Sequence, residues 1–181
     1  MTDSAADGYG GLFGAFPYAF RRSDSRLFRL YVVAGGLLAA LLGLGFGLAF
    51  VVSIAQSTGL AAGGTSSFVR TFVLMVGFLV VLPVVGPVLL VARHHRREGS
   101  DARYDRAVAA AGLVYLLSLY LLVVASIPPE FVLDGEPTTR PVPRGVFAPV
   151  ISLLYAVPAV ASPLIPAAAA ALVWLVHRRY R

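Results

Sequence analysis

Two groups of side chains in this chain are of types that could do chemistry. His94 and His95, in the run RHHRRE, are potential metal ligands or proton carriers. Glu130, Asp134 and Glu136 put three carboxylates within seven residues, a composition that suits calcium. Neither group has the spacing its chemistry needs. Adjacent histidines on a helix point about 100° apart, and no Cys stands ready to complete a shell. The acidic group lacks the fixed periodicity of a calcium loop. The expectation is a solvated basic anchor for the histidines, a solvated acidic loop for the carboxylates, and no metal or other cofactor.

The elements that would have to position these residues are overwhelmingly apolar. Leu30–Ile54, Thr71–Ala92, Ala107–Ile127 and Val146–Val176 contain no Asp, Glu, Lys, Arg or His. Runs of this length match the hydrocarbon thickness of a bilayer. The chain has 181 residues, 58% hydrophobic and 13% charged, about half the charged fraction of a soluble domain. The fold expected is all-α: an integral membrane protein built as a four-helix transmembrane bundle. Its helices are predicted at about 30–54, 70–92, 107–127 and 146–176, making one domain over 30–176. Residues 1–29 form an N-terminal segment on the cytoplasmic side or in the interface, and 177–181 a short tail. The first run begins too late, and is too long, for a cleavable signal, so it is expected to stay as a helix.

Orientation follows from arginine. The chain has no Lys, and twelve of its fifteen arginines fall in the N-terminal segment, the 93–106 stretch and the C-terminus. That bias predicts both termini in the cytoplasm, N-in and C-in, for a multi-pass protein of the cell membrane. Arg21, Arg22, Arg93, Arg96, Arg97, Arg178 and Arg179, with Trp174, are its expected interface anchors. The net charge of +6 is assigned to headgroups, not to nucleic acid.

Within the helices, small residues and prolines carry the local predictions. Gly35, Ala39, Gly43 and Gly47 recur every four residues, a ladder for close helix approach in lipid, with packing against another helix of the same chain preferred to an oligomer contact. Pro83 and Pro87 each remove an intrahelical hydrogen bond, predicting a kink and freed carbonyls that need partners. Pro158, Pro163 and Pro166 interrupt the last run. A kinked span with its outer part on or above the membrane is preferred there to two half-helices meeting at mid-depth. Ser162 is a candidate cap for a restarted helix, with Pro163 in the first helical position. Ser23-Asp24-Ser25 offers caps for the first span. The aromatic segment before it (Tyr9, Leu12, Phe13, Phe16, Phe20) has helical spacing, but its glycines and Pro17 argue against a stable helix; it is read as lying in the interface. Gln56–Ser67 reads as a flexible neutral connection, 128–145 as a proline-rich loop, and Asp134-Gly135 as a tight turn for a small hairpin.

The runs GLFGAFPYAFRRSDSRLFRLYVV, PVVGPVLLVARHHRR, RYDRA and ASIPPEF resemble a group of uncharacterised haloarchaeal multi-pass membrane proteins, a domain of unknown function. The resemblance covers most of the chain and implies a membrane location without a mechanism. At the molar salt such a setting implies, the Debye length is about 3 Å, and arginines would act by close contact.

All nine acids and all three histidines fall in stretches read here as loops or tails. Catalysis, ion pumping and voltage sensing all require charge at depth. The scattered Ser53, Ser118, Ser126, Ser152 and Ser162 do not form the polar stripe of a pore. The expected function is therefore a non-enzymatic structural or accessory subunit that assembles through helix packing. The bilayer is its environment, and a second copy or another membrane protein its partner. The alternative is a small permease or channel for a neutral or lipophilic solute.

Overall fold

The computed structural model describes residues 11–57 and 64–181. Among them are six α-helices: α1 (Gly11–Arg22), α2 (Arg26–Ser57), α3 (Gly64–Glu98), α4 (Ala102–Ser126), α5 (Ala148–Tyr155) and α6 (Leu164–Tyr180). A hairpin of β1 (Glu130–Leu133) and β2 (Glu136–Thr139) joins α4 to α5, and a 3-10 turn over Ala159–Ala161 leads into α6. Four of these elements are long and apolar enough to cross a membrane: α2, α3, α4, and the 3-10 turn with α6. Residues 1–10, and residues 58–63 of the connection predicted at 56–67, lie outside the described residues; the rest of that connection belongs to the ends of α2 and α3.

These four long apolar elements are arranged around α4. Helices α2, α3 and α4 each touch the other two, while α6 runs along α4 and meets α3 only slightly. No substantial contact joins α2 to α6. Helix α1 lies against α3 and α2.

That α1 is a helix corrects the expectation drawn from its glycines and Pro17. Tertiary packing overrides propensity. Ala15 and Ala19 are completely buried, whereas Leu12 and Phe20 face outward. The small face, with Phe16 beside it, meets the protein. Phe16 leans over Gly36 of α2, where an added Cβ would come within 3.2 Å of its ring.

The charged 93–106 stretch is also more regular than predicted. Helix α3 runs on to Glu98 and α4 starts at Ala102, so only Gly99, Ser100 and Asp101 connect them. Gly99 takes φ +89°, the left-handed conformation that ends helices at low cost. Asp101 caps α4 by accepting a hydrogen bond from the Arg103 N–H at 2.8 Å. At the other end of α1, the Ser25 hydroxyl accepts from the Phe28 N–H and caps α2, as its sequence position suggested.

Helix α3 passes through Pro83 and Pro87 without interruption. The prolines deprive the carbonyls of Leu79 and Pro83 of their usual donors. Beside them, in the same opened turns, two tyrosine hydroxyls donate to backbone carbonyls. Tyr115 of α4 donates to Val80 at 3.0 Å, and Tyr31 of α2 to Val84 at 2.5 Å. Both tyrosines are buried. Tyr31 fits because Gly112 of α4 has no side chain: a Cβ there would stand 2.5 Å from the ring. Gly77 of α3 receives Phe46 of α2 in the same way, at 3.1 Å.

The predicted hairpin is present. Asp134 and Gly135 both have positive φ, 52° and 87°, as a two-residue turn with right-handed strand twist requires. Leu133 pairs with Glu136 and Glu130 with Thr139. Arg140 fastens this end of the molecule. Its Nη1 donates to the Ile127 carbonyl at 2.9 Å, and its guanidinium lies 3.7 Å from the centre of the Tyr155 ring. The C-terminus of α4 and the end of α5 are thereby joined through one side chain.

The last apolar run, predicted as a single helix at 146–176, is three elements. Helix α5 ends at Tyr155, the 3-10 turn follows Pro158, and α6 begins after Pro163. The turn and α6 together have 22 residues, enough for one span without α5. Pro158 and Pro163 mark the breaks. Pro166 does not kink anything, because it lies in the first turn of α6, where its missing N–H would have had no partner. Ser162 does not cap α6: its hydroxyl donates to the Ala159 carbonyl at 2.7 Å and closes the 3-10 turn instead.

The Tyr31–Gly112 approach sets a stability prediction. Gly112→Ala should cost about 1–3 kcal/mol, because Tyr31 must leave its rotamer or its carbonyl. Gly45→Ala, which has nothing within 4 Å of the added methyl, should leave stability unchanged or slightly raised. Thermal unfolding in detergent compares them; equal melting temperatures would refute the contact.

Candidate functional site

The densest polar arrangement lies where α3 ends and α4 begins. Asp105, in the first turn of α4, has no exposed surface. Its Oδ2 accepts a hydrogen bond from the Ser23 hydroxyl, and its Oδ1 stands 2.8 Å from His95 Nε2 on α3. The Ser23 Oγ in turn accepts from the Ser25 N–H at 3.2 Å, and the Ser23 carbonyl accepts from Arg29 Nε at 2.9 Å. One carboxylate thus ties the α1–α2 turn, the end of α3 and the start of α4. A buried carboxylate with two donors from other elements is satisfied; removing it strands both donors.

This placement corrects the expectation that every acid and histidine lies in a loop or tail. Asp105, His94 and His95 are helical and buried. The histidines are not a solvated anchor. Their rings are 6.5 Å apart and divide between two environments. His95 turns inward to Asp105, and its Nδ1 has no partner among the described residues. The neutral tautomer, with the proton on Nε2, leaves a bare lone pair there and not a stranded N–H. His94 stacks on Tyr104 of α4 at 4.1 Å, and its Nδ1 is 3.5 Å from Glu98.

Serine, aspartate and histidine meet here, but in the wrong order for nucleophilic catalysis. The acid stands between the hydroxyl and the imidazole, so no base faces the Ser23 Oγ. All three side chains are also closed off from solvent. The arrangement can hold helices together; it has no means of activating Ser23.

Beyond Asp105 the polar contacts continue toward the surface. The Tyr104 hydroxyl is 2.7 Å from His177 Nδ1 near the end of α6. A cavity of about 140 Å³ opens beside it, between the C-terminal ends of α3 and α6. The contacts among α1, α3, α4 and α6 bring the three arginine groups to one end of the molecule, where Arg21, Arg22, Arg93, Arg96, Arg97, Arg178 and Arg179 are all exposed. Trp174 is exposed too, with the Arg178 guanidinium 4.7 Å from its ring centre.

The small-residue ladder divides in two. Gly35 is covered by Tyr31 of its own helix, and Ala39 packs against the core beside Ala111 and Tyr115. Gly43, Gly45 and Gly47 have nothing within 4 Å of an added Cβ. Gly43 and Gly47 border an apolar groove of about 240 Å³, walled by Phe46, Phe50, Val73 and Phe78. A second apolar cavity of about 410 Å³ lies between α1, α2 and α3, with Phe16, Gly36, Ala40 and Val85 in its lining. The carboxylates of the hairpin are all exposed. Among the described residues, no three His, Asp or Glu side chains come together closely enough to hold a metal.

Two signals for the buried site were present in the chain. Extending α4 back to a capping Asp101 puts Asp105, Val108, Gly112 and Tyr115 on one face, all buried. Extending α3 forward puts Val84, Val88, Val91 and His95 on one face, also buried. For Ser23 there was no such signal, since its partner is 82 residues away.

Asp105→Ala should lower stability by about 3–5 kcal/mol, and Ser23→Ala by only about 1 kcal/mol. Melting temperatures of the two variants give the comparison. Equal effects would show that Asp105 is not the shared acceptor.

No curated protein and no solved structure matches this chain. A family model described as a domain of unknown function, DUF8056, matches residues 1–181. The chain belongs to that family over its whole length, which accords with the resemblance to a domain of unknown function and leaves its chemistry to be argued from the geometry.

Proposed function

We propose that this protein is a non-enzymatic, membrane-embedded accessory subunit that assembles with another membrane protein through the open face of α2. In this reading it is a multi-pass protein of a haloarchaeal cell membrane, with both termini in the cytoplasm. The arginines gathered at one end support that orientation.

The observation that carries the reading is the contrast between filled and unfilled glycines. Gly36, Gly77 and Gly112 are each met by an aromatic ring of this same chain. Gly43, Gly45 and Gly47 are met by nothing, although they lie on a long apolar helix, and Gly43 and Gly47 border a walled groove. In lipid, small residues are the means by which helices approach closely. A helix that packs its first half inside the chain and leaves Gly43, Gly45 and Gly47 uncovered presents a site for a helix from outside.

Replacing Gly43 and Gly47 together with Leu tests this directly. The open space means the isolated fold should tolerate both side chains, with its melting temperature unchanged. A native gel of mildly solubilised membranes should show the wild-type protein in a larger complex and the double variant released from it. A variant that stays in the complex would contradict the proposal.

A permease for a lipophilic solute is the second reading, favoured by the 410 Å³ cavity between α1, α2 and α3. Against it, the hydroxyls of Ser118, Ser126 and Ser162 all donate to carbonyls three residues earlier, which leaves their protons unavailable to a pore. The chain has no Cys, so single cysteines at 158–166 give a clean accessibility scan. Transport through the broken segment requires some of them to react with a water-soluble thiol reagent. The accessory reading expects labelling only at the end nearest α5.

A further inference from the structure

The cavity between the ends of α3 and α6 is not used by anything described above, and its chemistry is specific. Arg93 and Arg97 of α3 and Arg181, just beyond α6, line it, with Glu98 as the one acid. Three guanidiniums against one carboxylate leave it cationic. They also outweigh the partial negative ends of two helices, each worth about half a charge. His94 and His177 complete the lining. Both are positioned by Tyr104, which is fully buried: its ring stacks under His94 and its hydroxyl is 2.7 Å from His177 Nδ1. With the Tyr104 O–H donating to Nδ1, His177 carries its proton on Nε2 and can donate it without being charged. Preset donors of this kind, with guanidinium forks, match the oxygens of a phosphate group.

The level of the cavity says where the phosphate comes from. Its inner wall is Leu90, one turn below His94. Trp174, one turn below Arg178 on α6, is exposed and partnered by that arginine, as residues of a membrane interface are. Apolar surface lies beneath the cavity and arginine above it, which is the order found at lipid headgroups.

We infer that this cavity is a binding site for the phosphate of an anionic lipid headgroup. The inference depends on the membrane location but not on the assembly role of α2, whose open glycines lie elsewhere on the molecule. The lipid would fasten the end of α6 to α3, two helices that otherwise touch little.

The test uses the full chain in nanodiscs of phosphatidylcholine, with and without phosphatidylglycerol. Phosphatidylglycerol should raise the melting temperature by a few degrees, and native mass spectrometry should show it retained. The triple variant Arg93→Gln, Arg97→Gln, Arg181→Gln should lose most of that rise and the retained lipid. A control with the same charge change at the same end of the molecule, Arg26→Gln, Arg103→Gln, Arg106→Gln, should keep both. No rise in the wild type, or an equal loss in the control, would overturn the site. So would an equal rise from inorganic phosphate added to pure phosphatidylcholine discs, which would assign the cavity to a free anion.

Discussion

A polar group inside an apolar structure must find its partner within the protein, and Asp105 meets that constraint at the point where most elements converge. Its carboxylate takes one donor from the α1–α2 turn and one from α3, while its own backbone belongs to α4. Among the described residues no other acid is buried, and an ion stripped of water costs several kcal/mol unless its partners are in place. The same constraint acts in the middle of the molecule on the carbonyls opened by Pro83 and Pro87. Tyr31 and Tyr115 donate from the two neighbouring helices to the carbonyls next to these, Val84 and Val80. The relative positions of α2, α3 and α4 are therefore set by a few directional contacts, with apolar packing filling in around them.

These contacts explain why α2 is closed on one side and open on the other. To bring its hydroxyl to Val84, Tyr31 must lie across Gly112, which draws the first half of α2 onto α4. Farther along, Phe46 of α2 lies on Gly77 of α3. A groove remains between α2 and α3, lined with carbon and floored by glycine. Lipid chains could fill it without specificity; a helix with small residues of its own would fit it closely. The assembly proposal is built on that difference.

What was legible in the sequence follows the range of the interactions. Span count came from uninterrupted apolar runs, and the hairpin from Asp134-Gly135, because both are local properties. That the prolines open the backbone of α3 was legible, but the hydroxyls that reach the neighbouring carbonyls were not, since Tyr31 is 53 residues from Val84. Helix ends were placed too early or too late because charge was read as loop. Arg93 to Glu98 and Arg103 to Arg106 are helical, and their charged faces hide an inward face carrying His95 and Asp105. The final run was read as one helix because periodicity cannot show that Pro158 and Pro163 break it while Pro166 does not; that depends on where the helix restarts. Helix α1 was missed because its stability lies in the burial of Ala15 and Ala19 against other elements.

Native mass spectrometry of the protein, extracted gently from the membrane it is native to, tests the central claim most directly. If the open half of α2 is an assembly face, a second polypeptide should accompany the chain in fixed stoichiometry and dissociate when Gly43 and Gly47 are enlarged. A chain that emerges alone, carrying nothing but lipid, would contradict it.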